Sequence, residues 1–242
     1  MLSSPPEQSP SALTGLVDFS VFIYNPGMKN MEKHIRTILE MLSERYPVVK
    51  TQLEHDTPFQ LLIATILAAQ CTDGQVNKVT RKLFEFYPDP ATLAAAPLGR
   101  IKQLVFSTGF YNNKAKNIKA CAGAVMERFG GQVPGNIEQL VELPGVGRKT
   151  ANVVLSVCFG KDTIVVDTHV LRISNRLGII NQKDPVKAEF DLMKCIPRPL
   201  WNDVSLQLIY FGRDICQARK PNCGICPVFE ICPAPEKKIN AA

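Results

Sequence analysis

The sequence predicts an all-α protein, and three observations carry that reading. Apolar residues recur at helical spacing over 31–46, where Ile35, Ile38, Leu39 and Leu42 stand at i, i+3, i+4 and i+7. Thr57-Pro58-Phe59-Gln60 reads as an N-cap, a proline at the first helical position and a capping-box glutamine. The strand-like runs, 163–166 and 204–208, are too short to build a sheet and have no hairpin signals beside them.

The elements follow in order. The 31–46 segment is a helix with one apolar stripe, and the helix from Pro58 to about Ala69 is apolar all round, which places it in a core. A helix over 74–86 is stopped by Pro88 and Pro90, and others are expected near 98–105, 113–129, 137–142 and 148–159, the last ended by Gly160. The region beyond Gly160 is read as helical, with a boundary near 160–162. Pro, Ser and Glu dominate the first ten residues, which read as a disordered lead.

At 242 residues, 45% hydrophobic and 21% charged, the chain can bury one large core or two modest ones. The net charge is +6, and from Pro90 to Met126 there is no Asp or Glu while Arg100, Lys102, Lys114, Lys116 and Lys119 occur. Such a one-signed stretch biases a surface toward nucleic acid, unless it is only a solvated face. The longest apolar run, 61–69, contains Thr65 and is too short to span a bilayer, so no membrane partner is expected. The first residues lack a basic region followed by an apolar core, so the chain reads as cytoplasmic and its cysteines as reduced or metal-bound.

Four of the eight cysteines form one array, Cys216-x6-Cys223-x2-Cys226-x5-Cys232. Four thiolates so spaced converge on one inorganic centre, either an iron–sulfur cluster or zinc. The loop between Cys216 and Cys223 presents Arg219 and Lys220, two candidate phosphate contacts. The remaining cysteines, Cys71, Cys121, Cys158 and Cys195, stand singly in helical contexts and read as inert thiols, while His34 and His55 read as surface residues.

Upstream, 143–151 reads Leu-Pro-Gly-Val-Gly-Arg-Lys-Thr-Ala, a short helix, a turn and a second helix opening with basic residues. Gly145 and Gly147 remove side chains that would block close backbone approach, so amides there can hold a phosphate; a plain interhelical turn is the competing reading. Arg148 and Lys149 open the second helix. The positive end of the helix dipole, the neighbouring Arg148 and partial burial would all favour a free Lys149 amine, able to attack an electrophilic sugar carbon. Simple phosphate binding explains the same lysine. Asp167, in Val165-Val166-Asp167-Thr168-His169, reads as an N-cap or as a carboxylate able to take a proton and stabilise a developing sugar cation.

The 143–151 motif, Val-Asp-Thr-His-Val at 166–170 and the cysteine array together resemble the endonuclease III family of DNA repair glycosylases. Ala-Gln-Cys-Thr-Asp at 69–73 and Gly-Phe-Tyr-Asn at 109–112 extend the resemblance, which runs over about 31–232. It implies a helix-hairpin-helix DNA glycosylase fold of two helical domains with the active site in the cleft between them. Residues 30–53 plus 163–242 would form an iron–sulfur domain, 54–162 a helical barrel carrying the hairpin, and 1–29 a disordered or irregular extension.

It further implies a bifunctional DNA glycosylase and abasic-site lyase of base excision repair that removes oxidised pyrimidines. Lys149 would be the nucleophile, Asp167 the catalytic carboxylate, and Cys216, Cys223, Cys226 and Cys232 the ligands of a [4Fe-4S] cluster. The partner would be double-stranded DNA with a damaged base or abasic site, met by a monomer. The target nucleotide must leave the stack; Gln70 would fill the vacated space and Phe110 would act as the wedge, where relatives often have leucine. For these two, a helix end and a core aromatic are the alternatives. His169 would contact DNA, with a capping role as the alternative. Two other functions fit less of the pattern: an adenine mismatch glycosylase, whose relatives generally lack the hairpin lysine, and a noncatalytic iron–sulfur DNA-binding protein.

Overall fold

The computed structural model describes residues 29–238, which contain eleven α-helices and no strand. The expected N-terminal extension lies outside the described residues apart from Lys29, where α1 begins. Two compact units result. One comprises Thr51–Asp167, and the other the described residues through Lys50 together with those from Thr168 on.

The Thr51–Asp167 unit contains α2 (Pro58–Leu67), α3 (Asp73–Phe86), α4 (Pro90–Ala95), α5 (Leu98–Val105), α6 (Tyr111–Phe129), α7 (Ile137–Leu140) and α8 (Arg148–Phe159). Helix α2 is its centre. Every residue from Phe59 to Leu67 is buried, and α3, α6 and α8 pack around it. Each fully buried Leu or Ile there contributes about 1.5–3 kcal/mol. Thr57 caps α2 by accepting the Gln60 N–H, but Gln60 returns its side chain to the Asp56 N–H and not to Thr57, one residue earlier than a capping box requires.

Helix α4 is absent from the sequence expectation, which takes Pro88 and Pro90 as stops. Pro90 instead occupies the start of a helix, and Asp89 and Thr92 form a reciprocal capping box. The 204–208 run lies inside α11, and 163–166 belongs to neither helix nor strand. The acid-free stretch is also not a simple basic face. Lys114 is only 5% exposed and Lys119 donates to the carbonyls of Ala94 and Ala96, so two of its five cations serve the interior.

The second unit contains α1 (Lys29–Arg45), α9 (Thr168–Arg176), α10 (Pro185–Cys195), α11 (Trp201–Asp214) and the cysteine-bearing tail. Helix α11 packs on both α1 and α9. His34 corrects its expected surface role, because it is partly buried and its Nε2 lies 2.6 Å from the Leu177 carbonyl oxygen, bracing α1 against the turn after α9. Cys121 is fully buried and burial pushes its thiol up to about 12; Cys158 is pushed up to about 11 in the same way.

Candidate functional site

The hairpin between α7 and α8 is built by two glycines with different duties. Gly145 has φ of +79°, and a Cβ there would stand 2.8 Å from Asn117 Cβ on α6, so conformation and close packing both require glycine. Gly147 has an ordinary negative φ and no atom within 4 Å of where a Cβ would be. It is the N-cap of α8 and offers no side-chain acceptor, and the first turn of α8 carries no acid. The first-turn amides therefore lack the side-chain oxygen that usually serves them, and they form a ready anion site.

Lys149 is the second residue of α8 and is exposed. The partial burial expected for it is not found, because the first turn of α8 projects beyond the core that receives Ala151, Val154 and Leu155. No hydrogen bond or ion pair among the described residues engages its amine, and Arg148 beside it is half-buried.

Asp167 is half-buried and immediately precedes α9, the N-cap position. Its placement depends on Asn152. The helix ends at Gly160 in the left-handed conformation and the chain continues without helix or strand over 161–167, with Thr163, Ile164, Val165 and Val166 all buried. The Asn152 side chain donates to the Ile164 carbonyl at 3.1 Å, and the Thr163 hydroxyl donates to the Asn152 carbonyl at 3.0 Å. These two bonds fasten the segment that leads into Asp167 to α8, the helix that carries Lys149.

Gln70 and Phe110 share a property that sequence reading misses. Among the described residues they are the only two non-glycine positions with positive φ, at +54° and +47°. An aromatic in that region is strained by roughly 1–3 kcal/mol, and such strain clusters at functional positions. Both are exposed, Phe110 by 68% and its neighbour Phe106 by 62%. Neither is the core residue or ordinary helix end that the competing readings described. Phe106 and Tyr111 pack in a tilted pair with centroids 4.7 Å apart and ring planes at 52°.

The four array cysteines line one cavity together with Arg176, Leu177, Phe211 and Lys237. No three ligand-type side chains among the described residues are gathered tightly enough for a single ion. Four cysteine thiolates are the donor set that a [4Fe-4S] cluster takes, and these four face one cavity. The loop between Cys216 and Cys223 is closed at its base by the Asn222 N–H to the Ile215 carbonyl, and Arg176 donates to the carbonyls of Gln217 and Ala218. Arg219 and Lys220 are left exposed at its tip.

His169 lies in the first turn of α9, half-buried, with Nδ1 3.3 Å from the Arg172 guanidinium. A guanidinium only donates, so Nδ1 accepts and Nε2 carries the hydrogen. Arg172 also donates to the Cys216 carbonyl at 2.9 Å, which joins His169 to the first cysteine ligand through one side chain.

Comparisons with known proteins agree with this geometry. Residues 63–198 match the model of the HhH-GPD superfamily base excision DNA repair proteins, and 216–232 match the iron–sulfur binding domain of endonuclease III. The chain is 49% identical over 208 residues to the endonuclease III of Synechocystis sp., covering 86% of this chain and 95% of that protein. It is similar to a solved non-covalent endonuclease III–DNA complex, with a TM-score of 0.83, 42% identity and coverage of 86% of this chain and 98% of that one. It is equally similar to a trapped endonuclease III–DNA covalent intermediate, at TM-score 0.83, 43% identity and the same coverage.

Proposed function

We propose that this chain, which belongs to the endonuclease III family within the HhH-GPD superfamily, attacks damaged DNA with the Lys149 amine and supports that attack with the Asp167 carboxylate. The protein is a bifunctional DNA glycosylase and abasic-site lyase of base excision repair, removing oxidised pyrimidines, and it carries a [4Fe-4S] cluster. The observation that carries the residue assignment is the exposed, unengaged Lys149 at the acid-free start of α8, with the segment leading into Asp167 bonded to Asn152 of the same helix.

The reaction follows from those groups. The hairpin amides and Arg148 hold a backbone phosphate, and the nucleotide is flipped out at a cost of a few kcal/mol, least for a damaged base. The free amine of Lys149 forms a bond to C1′ as the glycosidic C–N bond breaks, and the departing base takes a proton. Asp167 offsets the positive charge that develops on the sugar, takes a proton from the attached Lys149 nitrogen and returns it to O4′ as the C1′–O4′ bond breaks, which opens the sugar ring and leaves a protonated Schiff base between Lys149 and C1′. Loss of the C2′ proton then expels the 3′ phosphate oxygen, breaking the C3′–O bond and leaving a nicked strand. An endonuclease III has been captured as a covalent DNA intermediate, which supports this route by similarity.

Cys216, Cys223, Cys226 and Cys232 hold the cluster, which supplies a rigid anchor for the loop bearing Arg219 and Lys220. Those cations, with His169, extend the DNA contact, and Gln70 and Phe110 occupy the space the flipped nucleotide leaves. The Thr51–Asp167 unit serves as the hairpin domain and the other as the iron–sulfur domain. No described helix is long and apolar enough to cross a membrane. We infer a monomer acting on DNA in the cytoplasm.

Borohydride should trap a covalent complex between the protein and DNA containing an oxidised pyrimidine. Lys149→Ala should abolish trapping while DNA binding persists, and cleavage by that variant would assign the nucleophile elsewhere. Asp167→Asn should slow base release more than it weakens binding.

A further inference from the structure

We propose that Lys114 is a positioning residue for base extrusion: it locks the strained turn that presents Phe110, so that this side chain enters the duplex already set. This rests on the reading of Gln70 and Phe110 as the residues that occupy the vacated stack.

Lys114 sits in the first turn of α6 and is 5% exposed. A buried ammonium is costly, and the whole of 90–126 contains no Asp or Glu to pair with it. Among the described residues its Nζ has one hydrogen-bond partner, the Thr108 carbonyl at 2.7 Å. Its backbone N–H donates to the Phe110 carbonyl at 3.1 Å. One residue thus clamps the Thr108–Gly109–Phe110 turn at both ends. The turn needs clamping, because Gly109 at φ +70° and Phe110 at φ +47° are consecutive positive-φ residues and the second carries an aromatic side chain.

Gln75 donates to the Ser107 hydroxyl at 2.7 Å, which ties the helix that follows Gln70 to the segment that leads into the same turn. The strained Phe110 turn is therefore held by one buried cation and one side-chain bond from α3, and a leucine or methionine of similar volume to Lys114 would fill the space without holding the Thr108 carbonyl. Pre-positioning of this kind matters because inserting groups must be in place while the base pair is open.

The experiment compares Lys114→Met and Lys114→Arg on the full chain with its cluster, using duplex DNA with 2-aminopurine beside the lesion to report unstacking, and an abasic site in single-stranded DNA that needs no extrusion. Lys114→Met should lower the unstacking signal and duplex cleavage about tenfold, while single-strand lyase activity stays within about twofold. Lys114→Arg, which keeps the cation, should recover part of the duplex loss. Gln75→Ala, a change at a surface hydrogen bond with little folding risk, should weaken the unstacking signal in the same direction. An unchanged signal in both Lys114→Met and Gln75→Ala, or equal losses by Lys114→Met on both substrates, overturns the inference. Phe110→Ala and Gln70→Ala separate the two readings: if neither lowers the signal, the wedge assignment itself is wrong, whereas a loss there without one in Lys114→Met removes the lysine's role alone.

Discussion

The side chain of Asn152, on the second turn of α8, donates to the carbonyl of Ile164, twelve residues further along the chain, at 3.1 Å. That bond and the one the Thr163 hydroxyl makes to the Asn152 carbonyl fasten the segment that leads into Asp167 to α8, the helix that carries Lys149.

Replacing Asn152, which is 2% exposed, should therefore act on catalysis without touching DNA. Asn152→Leu leaves the Ile164 carbonyl without its donor, a cost of about 1–3 kcal/mol. Single-turnover base release should slow while the affinity for lesion DNA holds. Equal loss of both in a variant that still melts cooperatively would show that Asn152 serves general packing only.

The hairpin glycines should separate fold from binding. Gly145→Ala meets Asn117 Cβ and a left-handed backbone, the latter alone costing about 1–2 kcal/mol, so its melting temperature should fall. Gly147→Ala meets neither obstacle and should melt like the parent, yet its methyl shields the α8 amides and should weaken DNA binding. Gly147→Ala with unchanged affinity would remove the phosphate role of this turn.

The loop tip should report through salt. Removing Arg219 and Lys220 together should reduce the slope of log affinity against log salt by about one for each phosphate left unneutralised. Base release at saturating enzyme should be unaffected. A slope identical to that of the parent would place both cations away from the DNA.

Lys114 sets an alkaline signature. Burial holds its ammonium below the usual lysine value of 10.5, with Cys71 acting weakly in the opposite sense. Between the folded-state value and 10.5 the unfolded chain binds more protons, so stability rises with pH across that window. At lower pH both states are protonated and the full burial penalty applies. Chemical denaturation from neutrality upward should show the parent gaining on Lys114→Met, which has no titrating group; parallel curves would contradict a buried ammonium.

The features legible in the sequence are those whose chemistry is local. The cysteine array and the 143–151 hairpin each lie within seventeen residues or fewer, and short-range spacing constrains where such groups go. Helix α4 is legible in principle, since Asp89-Pro90-x-Thr92 is a capping signal, but two prolines close together read as a stop. The lysines of the acid-free stretch mislead more deeply, because charge says nothing about direction: Lys114 and Lys119 turn inward to carbonyls that only packing brings near.

The amino-acid order alone determined the helical class, the thiolate set and the glycine turn, because each depends on neighbours a few bonds away, while Lys149 and Asp167 came forward as nucleophile and catalytic carboxylate only through the family resemblance. Tertiary structure decided that Lys149 is exposed, that the segment leading into Asp167 is bonded to α8, and that Gln70 and Phe110 are the two strained non-glycine positions among the described residues. Those outcomes depend on contacts between residues that are distant along the chain, made by side chains such as Asn152 and Lys114 whose partners no periodicity announces.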